Sequence, residues 1–376
     1  MFGKSFKLFK LFGFSVTVDL SWLVIAFLVS WSLAAGVFPA LHPDWSTGLY
    51  WTMGIAGAIG LFLSIILHEL SHSLVARRFG LPMTGITLFI FGGVAEMSDE
   101  PPSPLAEFAM AIAGPLASVL VGGVCFGGTF IGRWVDAPSP VVTVVGYLGT
   151  INLVLAVFNM IPAFPLDGGR ILRAVLWGWK ENLRWATKVS SNVGAGFGAL
   201  LIALGLVSLF FGRLIGGMWW ILIGLFVRHA AHGSYRQLLI KRALEGEPVR
   251  RFMHDRPVAV PRQILVQELV NDYVYRHHFK FFPVVDGEHL IGCVSTREVK
   301  ELPREEWSRQ TVGAITQPCT AKNSVRPEDD AMDALSKMNR SRLSRLMVVD
   351  GDRLVGVLSL KDLLGFFSMK LELEES

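Results

Sequence analysis

Five stretches of this chain, residues 20–38, 49–67, 108–132, 137–166 and 189–212, contain no Asp, Glu, Lys or Arg. About 20 apolar residues in a helix cross a bilayer. Inside lipid every backbone polar group must be satisfied within the protein, which leaves helices or a closed barrel. Runs of this length without strand-like alternation predict helices. A sixth run, 214–227, is short, and only Arg213 parts it from the fifth, so a tight hairpin is expected there. Charged residues make up 18% of the chain, against about 25% in soluble domains. The deficit falls on residues 1–230, whereas 233–376 reads as ordinary soluble sequence. The first run is too long for a cleavable leader and lacks a small-residue cleavage site.

Charge sets the expected orientation. Of the sixteen lysines and arginines between Lys4 and Arg242, fourteen lie on one side of a six-span arrangement; only Arg133 and Arg213 lie on the other. Basic residues stay on the cytoplasmic side, so the N-terminus and the soluble part are expected in the cytoplasm of a multi-pass cell-membrane protein. The same charges face the lipid surface, and no nucleic-acid partner is needed to explain the net charge of +4. The opening residues, "MFGKSFKLFKLFGFS", alternate aromatic and basic side chains. They fit either a segment lying on the inner membrane face or a strand leading into the membrane. The three cysteines, Cys125, Cys293 and Cys319, show no pairing pattern and read as inert small apolar residues.

The second run closes on "LHELSHS". Ionisable groups inside a span are costly and mark function by default. His68, Glu69 and His72 spell H-E-x-x-H. Positions i and i+4 share a helix face, so both imidazoles can reach one metal ion, and Glu69, one residue round, is placed to touch a water on that ion. A hydrolytic zinc site usually has three protein ligands and one water. Asp167, in "NMIPAFPLDGGR", is the best third ligand: Pro162 and Pro165 break the helix, and Gly168-Gly169 are expected to let the backbone turn. Asp19 competes, near the start of the first span. Asp167 also fits a plain helix N-cap for the segment after it.

The span with "HELSH", the segments "GGVAEM" and "AGPLAS", and "NMIPAFPLDGGR" together resemble the site-2 protease family of intramembrane zinc metalloproteases, over about residues 1–232. The resemblance implies His68, His72 and Asp167 as ligands of one zinc ion, Glu69 as general base, and Asn159 as a residue that helps hold substrate or oxyanion. It implies a membrane-anchored protein substrate, such as an anti-sigma factor, a pro-sigma factor or a signal-peptide remnant. Residues 81–98 are bracketed by Pro82 and Gly92-Gly93 and suggest an extended hairpin or re-entrant sheet near the cytoplasmic face, with a surface loop as the alternative. Within it, 86–91 is expected to offer an edge strand to a locally unwound substrate. "AGPLAS" suits both a wet cavity and close helix packing.

In the soluble part, "FPVVDGEHLIGCVSTREV" from Phe282 recurs as "LMVVDGDRLVGVLSLKDL" from Leu346, an offset of 64 residues without a gap. Each copy reads as strand, Asp-Gly turn, strand and helix, and such units bury their faces against each other. The pair resembles tandem CBS domains, which bind adenine nucleotides and can dimerise. The resemblance implies Ser359 and Asp362 as ribose contacts; the first copy has Ser295 and the longer Glu298 instead.

The expected fold class is an α-helical polytopic membrane domain of about six transmembrane helices with a small membrane-associated β segment, followed by a cytoplasmic α+β tandem CBS module. The boundaries read 1–232 for the membrane domain, 233–248 for a linker, 249–305 for the first CBS copy and 306–376 for the second. The expected function is intramembrane zinc endopeptidase, regulated by a CBS pair that could take an adenine nucleotide and form a homodimer. The alternative is a transporter or channel gated by that pair. An ion path, however, does not need a glutamate between two histidines at i and i+4.

Overall fold

The computed structural model describes residues 5–81, 83–89, 92–97, 100–287, 289–341 and 343–374. It divides into two compact units, 1–236 and 237–376.

The first unit opens with two antiparallel strands, β1 (Ser5–Leu11) and β2 (Phe14–Asp19). The opening segment is thus a strand pair, turning at Phe12-Gly13 with both residues at positive φ. Helix α1 (Ser21–Ser32) continues through a wide turn, 33–37, into α2 (Phe38–Leu41), and together they form the first of six helical segments among the described residues that are long and apolar enough to cross a membrane. The others are α3 (Thr47–Arg78), α4 (Pro104–Trp134), α5 (Ser139–Asn159), α7 (Leu183–Phe210) and α8 (Leu214–Leu244). A shorter helix, α6 (Asp167–Lys180), lies between α5 and α7. Outward-facing Leu120, Val124, Phe130 and Phe210 are exposed; such surface suits lipid. The expected tight hairpin is present: α7 and α8 are joined by 211–213 and pack through paired glycines. A Cβ on Gly198 would meet Gly224 O at 2.7 Å, and one on Gly205 would meet Gly217 O at 2.7 Å. Small residues let helices approach this closely where water supplies no driving force. The polar stretch expected as a linker is helical as far as Leu244.

Between α3 and α4 lie β3 (Met83–Phe89) and β4 (Gly92–Met97). The sheet runs β1-β2-β3-β4, with β2 parallel to β3 and β3 antiparallel to β4. This corrects the expected edge. The segment taken as 86–91 falls mostly on β3, which is covered on both sides, while Ile90 and Phe91 lie outside the described residues. β2 occupies the side of β3 that local sequence leaves open, so among the described residues the free edge near α3 belongs to β4. One face of the sheet buries Val16, Val18, Ile86 and Leu88 against Ile66 and Leu70 of α3.

The second unit is built on one sheet of order β5-β6-β7-β11-β10-β9, with β8 paired to β7. Its strands are β5 (Val260–Pro261), β6 (Phe281–Asp286), β7 (His289–Ser295), β8 (Gln317–Pro318), β9 (Ser324–Val325), β10 (Arg345–Asp350) and β11 (Arg353–Ser359). Short helices α9 (Val266–Glu268) and α10 (Tyr275–His277) precede β6. Helix α11 (Thr296–Glu301) follows β7, α12 (Ala331–Ser341) precedes β10, and α13 (Leu360–Glu374) follows β11. The repeat is structural: Val284 faces Gly292 in one hairpin and Val348 faces Gly356 in the other, 64 residues on. The copies meet where His289 pairs with Arg353, themselves equivalent, so a pseudo-two-fold axis passes between them. Gly287 and Gly351 take φ of +62° and +59° in the Asp-Gly turns, which glycine adopts without a Cβ penalty. Burial, aided by the charge of Glu298, pushes the Cys293 thiol up to about 11, which keeps it unreactive at neutral pH.

Candidate metal centre

Helix α3 divides its last turns among three neighbours. Ile66 and Leu70 face the sheet, Ile65 and Glu69 face β4, and Ser64, His68 and His72 face α4 and α5. The 100° step between successive helical residues makes this division possible.

His68 and His72 are buried, at 4% and 5% exposure. His72 Nδ1 lies 2.7 Å from the carbonyl oxygen of Met110, which can only accept, so Nδ1 carries the proton and Nε2 of the neutral ring presents a lone pair. His68 Nδ1 is hydrogen-bonded to Ser118 Oγ at 2.9 Å. Both orienting partners lie on α4. The two Nε2 atoms are 3.1 Å apart, and Asp167 Oδ2 lies 3.0 Å from His68 Nε2 and 3.2 Å from His72 Nε2. Three electron-pair donors at such separations repel unless a cation or proton sits among them. The edges match a shell of ligands about 2 Å from one ion. These residues are the one His/Cys/Asp/Glu group among the described residues with all donor atoms within 4.8 Å.

The space beside them depends on a missing side chain. A Cβ on Gly114 of α4 would stand 2.2 Å from His72 Nε2 and 2.5 Å from His68 Nε2. Helix α4 passes unbroken through Pro115, so "AGPLAS" serves here to bring backbone against imidazole. The donor set and the clearance both fit a zinc ion.

Asp167 is the first residue of α6; Leu166 occupies the cap position and makes no side-chain cap bond. The Asp167 carboxylate therefore turns to the histidines instead of capping. Gly168 and Gly169 do not supply a turn, for neither has positive φ. They permit contact: a Cβ on Gly168 would meet Met160 O at 2.3 Å, and one on Gly169 would meet Phe164 N at 2.2 Å. On the far side, a Cβ on Gly194 of α7 would meet Phe164 O at 2.0 Å. The loop carrying Asp167 is thus pressed between two helices at glycines. Asp19 stands apart from the cluster, accepting from Ser21 N at 2.9 Å.

Glu69 packs beneath β4: a Cβ on Gly93 would lie 2.7 Å from Glu69 Cγ. Asn159, at the end of α5, donates from Nδ2 to Leu155 O of its own helix at 3.0 Å. Sequence reasoning missed Met110 and also Asn152, fully buried on α5 and donating to Ser64 Oγ at 2.9 Å; it singled out "AGPLAS", which holds Gly114 and Ser118, but not their contacts with the histidines. A polar residue inside an apolar run was the available signal for Ser118 and Asn152.

In the second unit a cleft of about 1070 Å³ is lined by Ser295 and Glu298 of the first copy and by Lys322, Lys337, Arg340 and Arg345. Ser359 and Asp362 are not part of its lining. Each Ser-x-x-acid pair closes on itself at a helix start: Ser295 Oγ donates to Glu298 Oε2 at 2.6 Å, and Ser359 Oγ donates to Asp362 Oδ2. Asp362 Oδ1 also lies 3.3 Å from His254 Nε2.

Comparison with known proteins follows the same division. Residues 56–137 and 131–204 match peptidase family M50, and residues 249–305 and 312–368 each match the CBS domain. A Synechocystis sp. protein whose name assigns it to the zinc metalloproteases is 35% identical over 352 residues, covering 93% of this chain and 92% of that protein. A zinc metalloprotease of Methanocaldococcus jannaschii is 30% identical over 371 residues, covering 99% of this chain and 98% of its own. The solved site-2 protease of Methanocaldococcus jannaschii aligns at 30% identity and a TM-score of 0.43, over 62% of this chain and 95% of that one.

Proposed function

Because the chain belongs to peptidase family M50, the site-2 protease type of zinc metalloprotease, and carries a tandem CBS pair, we propose that it cleaves a membrane-anchored protein within or beside its transmembrane segment. The observation that carries the reading is the triangle His68, His72 and Asp167, buried among apolar helices and kept open by Gly114. These three residues would hold zinc. A zinc ion held there would supply a water acidified to a pKa near 7 and polarisation of a carbonyl. Glu69 takes the proton from the attacking water and delivers it to the leaving amine. Asn159 would have to release Leu155 O to donate to a substrate carbonyl.

A helical substrate hides its peptide bonds and must be drawn out. The free edge of β4, with Gly93 directly over Glu69, supports capture of an extended stretch by strand addition. Backbone N–H groups of a strand point alternately to its two neighbours. Single prolines walked along residues 93–96 should therefore alternate in effect. Those removing a free-edge donor should slow cleavage of a single-span substrate about 2- to 10-fold, the worth of one hydrogen bond, with zinc content unchanged. Those facing β3 should instead lower the melting temperature. Equal turnover at all four positions would rule out capture at this edge.

The fourteen-to-two charge asymmetry supports a cytoplasmic N-terminus and CBS pair. For the CBS cleft we infer an adenine nucleotide as regulator. The six Lys and Arg residues of the lining, Lys280 and Arg297 besides the four above, suit a polyphosphate, and Glu298 Oε1 remains for a ribose hydroxyl at the first-copy pair. The second-copy pair, engaged with His254 and outside the cleft, is the weaker seat. Titration calorimetry of the full chain with ATP, AMP and S-adenosylmethionine should give saturable heat with at least one, weakened at least tenfold by Arg340→Glu with Arg345→Glu. No heat with any of the three would exclude the nucleotide.

A further inference from the structure

A second polar contact joins the elements of the metal centre, away from the ligands. Glu107, near the start of α4, is completely buried, and Arg173 of α6 is 6% exposed. Arg173 Nε donates to Glu107 Oε1 at 2.6 Å, and Arg173 Nη2 also contacts that oxygen. The guanidinium lies over the Phe164 ring, 5.2 Å from its centroid. Glu100, one-third exposed at its side chain, stands 3.8 Å from Arg173 Nη2. Among the described residues the pair is the one side-chain hydrogen bond between α4 and α6.

Three elements converge on the site, and their polar contacts form a triangle. Helix α3 is tied to α4 by the two histidine Nδ1 bonds, to Ser118 and to Met110. Helix α4 is tied to α6 by Glu107 and Arg173. The third side, α3 to α6, is the meeting of the histidines with Asp167. We propose that the Glu107–Arg173 pair is a positioning pair that sets the register of α6 on α4 and so delivers Asp167 to the histidines; this rests on the metal-centre reading above. At 1.5 Å rise per residue, Arg173 lies about 9 Å along its helix from Asp167, and Glu107 about 10 Å along its own from Gly114. Two pins that far apart fix both the sliding and the rotation of one helix on the other. Arg173 also steadies Phe164, whose backbone is gripped by Gly169 and Gly194 on either side. A salt bridge buried this deeply contributes little net stability over an apolar pair of like volume; its attested use is to specify one arrangement.

The test separates specification from packing. Arg173→Met, Arg173→Lys and the double variant Glu107→Met with Arg173→Met are purified at full length. Zinc affinity is read by competition with a chromophoric chelator, the Co2+ visible spectrum reports ligand geometry, and melting of the metal-free protein reports folding. Loss of a residue that orients ligands costs 10- to 100-fold in metal affinity. The single Met variant leaves a buried carboxylate unpaired and should melt well below wild type. The double variant removes both members of the hydrogen-bonded pair and leaves Glu100 and Arg170 beside it, so its melting should recover part of that loss. Its zinc affinity should stay at least tenfold weak, with an altered Co2+ spectrum. Arg173→Lys keeps the charge without the fork and should lose affinity with little change in melting. Zinc affinity within twofold of wild type in any folded variant of the pair overturns the proposal. Asp167→Ala is the control on the reading beneath it: wild type lacking zinc, or Asp167→Ala binding as tightly as wild type, overturns the metal centre itself and the pair's role with it.

Discussion

Glu69→Gln is expected to lower cleavage of a membrane-anchored substrate by about 10²- to 10⁴-fold, the usual contribution of a general base, while the protein keeps its full complement of zinc. The substitution preserves size and the packing beneath Gly93. It removes only the ability to take up a proton, and it leaves the three donor atoms of His68, His72 and Asp167 untouched. Paired measurements of zinc content and of turnover on a single-span protein decide the matter. Turnover within tenfold of wild type would remove Glu69 from the chemistry. Loss of zinc would make it a ligand or a structural support instead. A transporter using these residues as an ion path would respond with altered flux, not with lost peptide hydrolysis.

Gly114→Ala should abolish zinc binding, or weaken it at least a hundredfold, by adding one methyl group. That carbon would stand 2.2 Å and 2.5 Å from the two Nε2 atoms. Neither ring can retreat cheaply, since Met110 and Ser118, which hold them, lie on the same helix as Gly114. Inserting atoms into a filled core costs about 1–3 kcal/mol, and Ala gains up to ~1 kcal/mol over Gly inside a helix, so the fold should survive. Gly123→Ala is the matched control: the same helix, the same change, and nothing within 4 Å of the new carbon. Full zinc occupancy in Gly114→Ala would show that the histidines adopt another arrangement around the metal. Equal loss in both variants would trace the effect to the helix as a whole.

The features legible from sequence are those fixed by local periodicity. The i, i+4 spacing put His68 and His72 on one face, and a repeat of 64 residues announced two matching hairpins. Asp167 stood out because prolines and glycines surrounded it, although the glycines work by close contact and not by turning the chain. What stayed hidden depends on which distant segments become neighbours. The strand taken for an edge is interior because residues 14–19 come to lie beside it. Arg173, counted among the cytoplasmic-side basic charges, is instead buried against Glu107. Ser118 and Met110 acquire meaning only when α4 crosses α3. The first-copy pair Ser295 and Glu298, which departs from the usual pattern, lines the cleft, and the better match, Ser359 and Asp362, does not.

Helix α3 assigns three successive kinds of neighbour to residues 64–72, and this has a bearing on how such a chain can diverge. Inserting or deleting one amino acid upstream of His68 within that helix swings everything beyond it through 100°, sending imidazoles toward the sheet and leucines toward the aspartate. No single point change repairs such a frame error. Homologous chains should therefore vary freely in residue type along the lipid side of this segment while its length stays invariant, and natural indels should collect in the connections between helices.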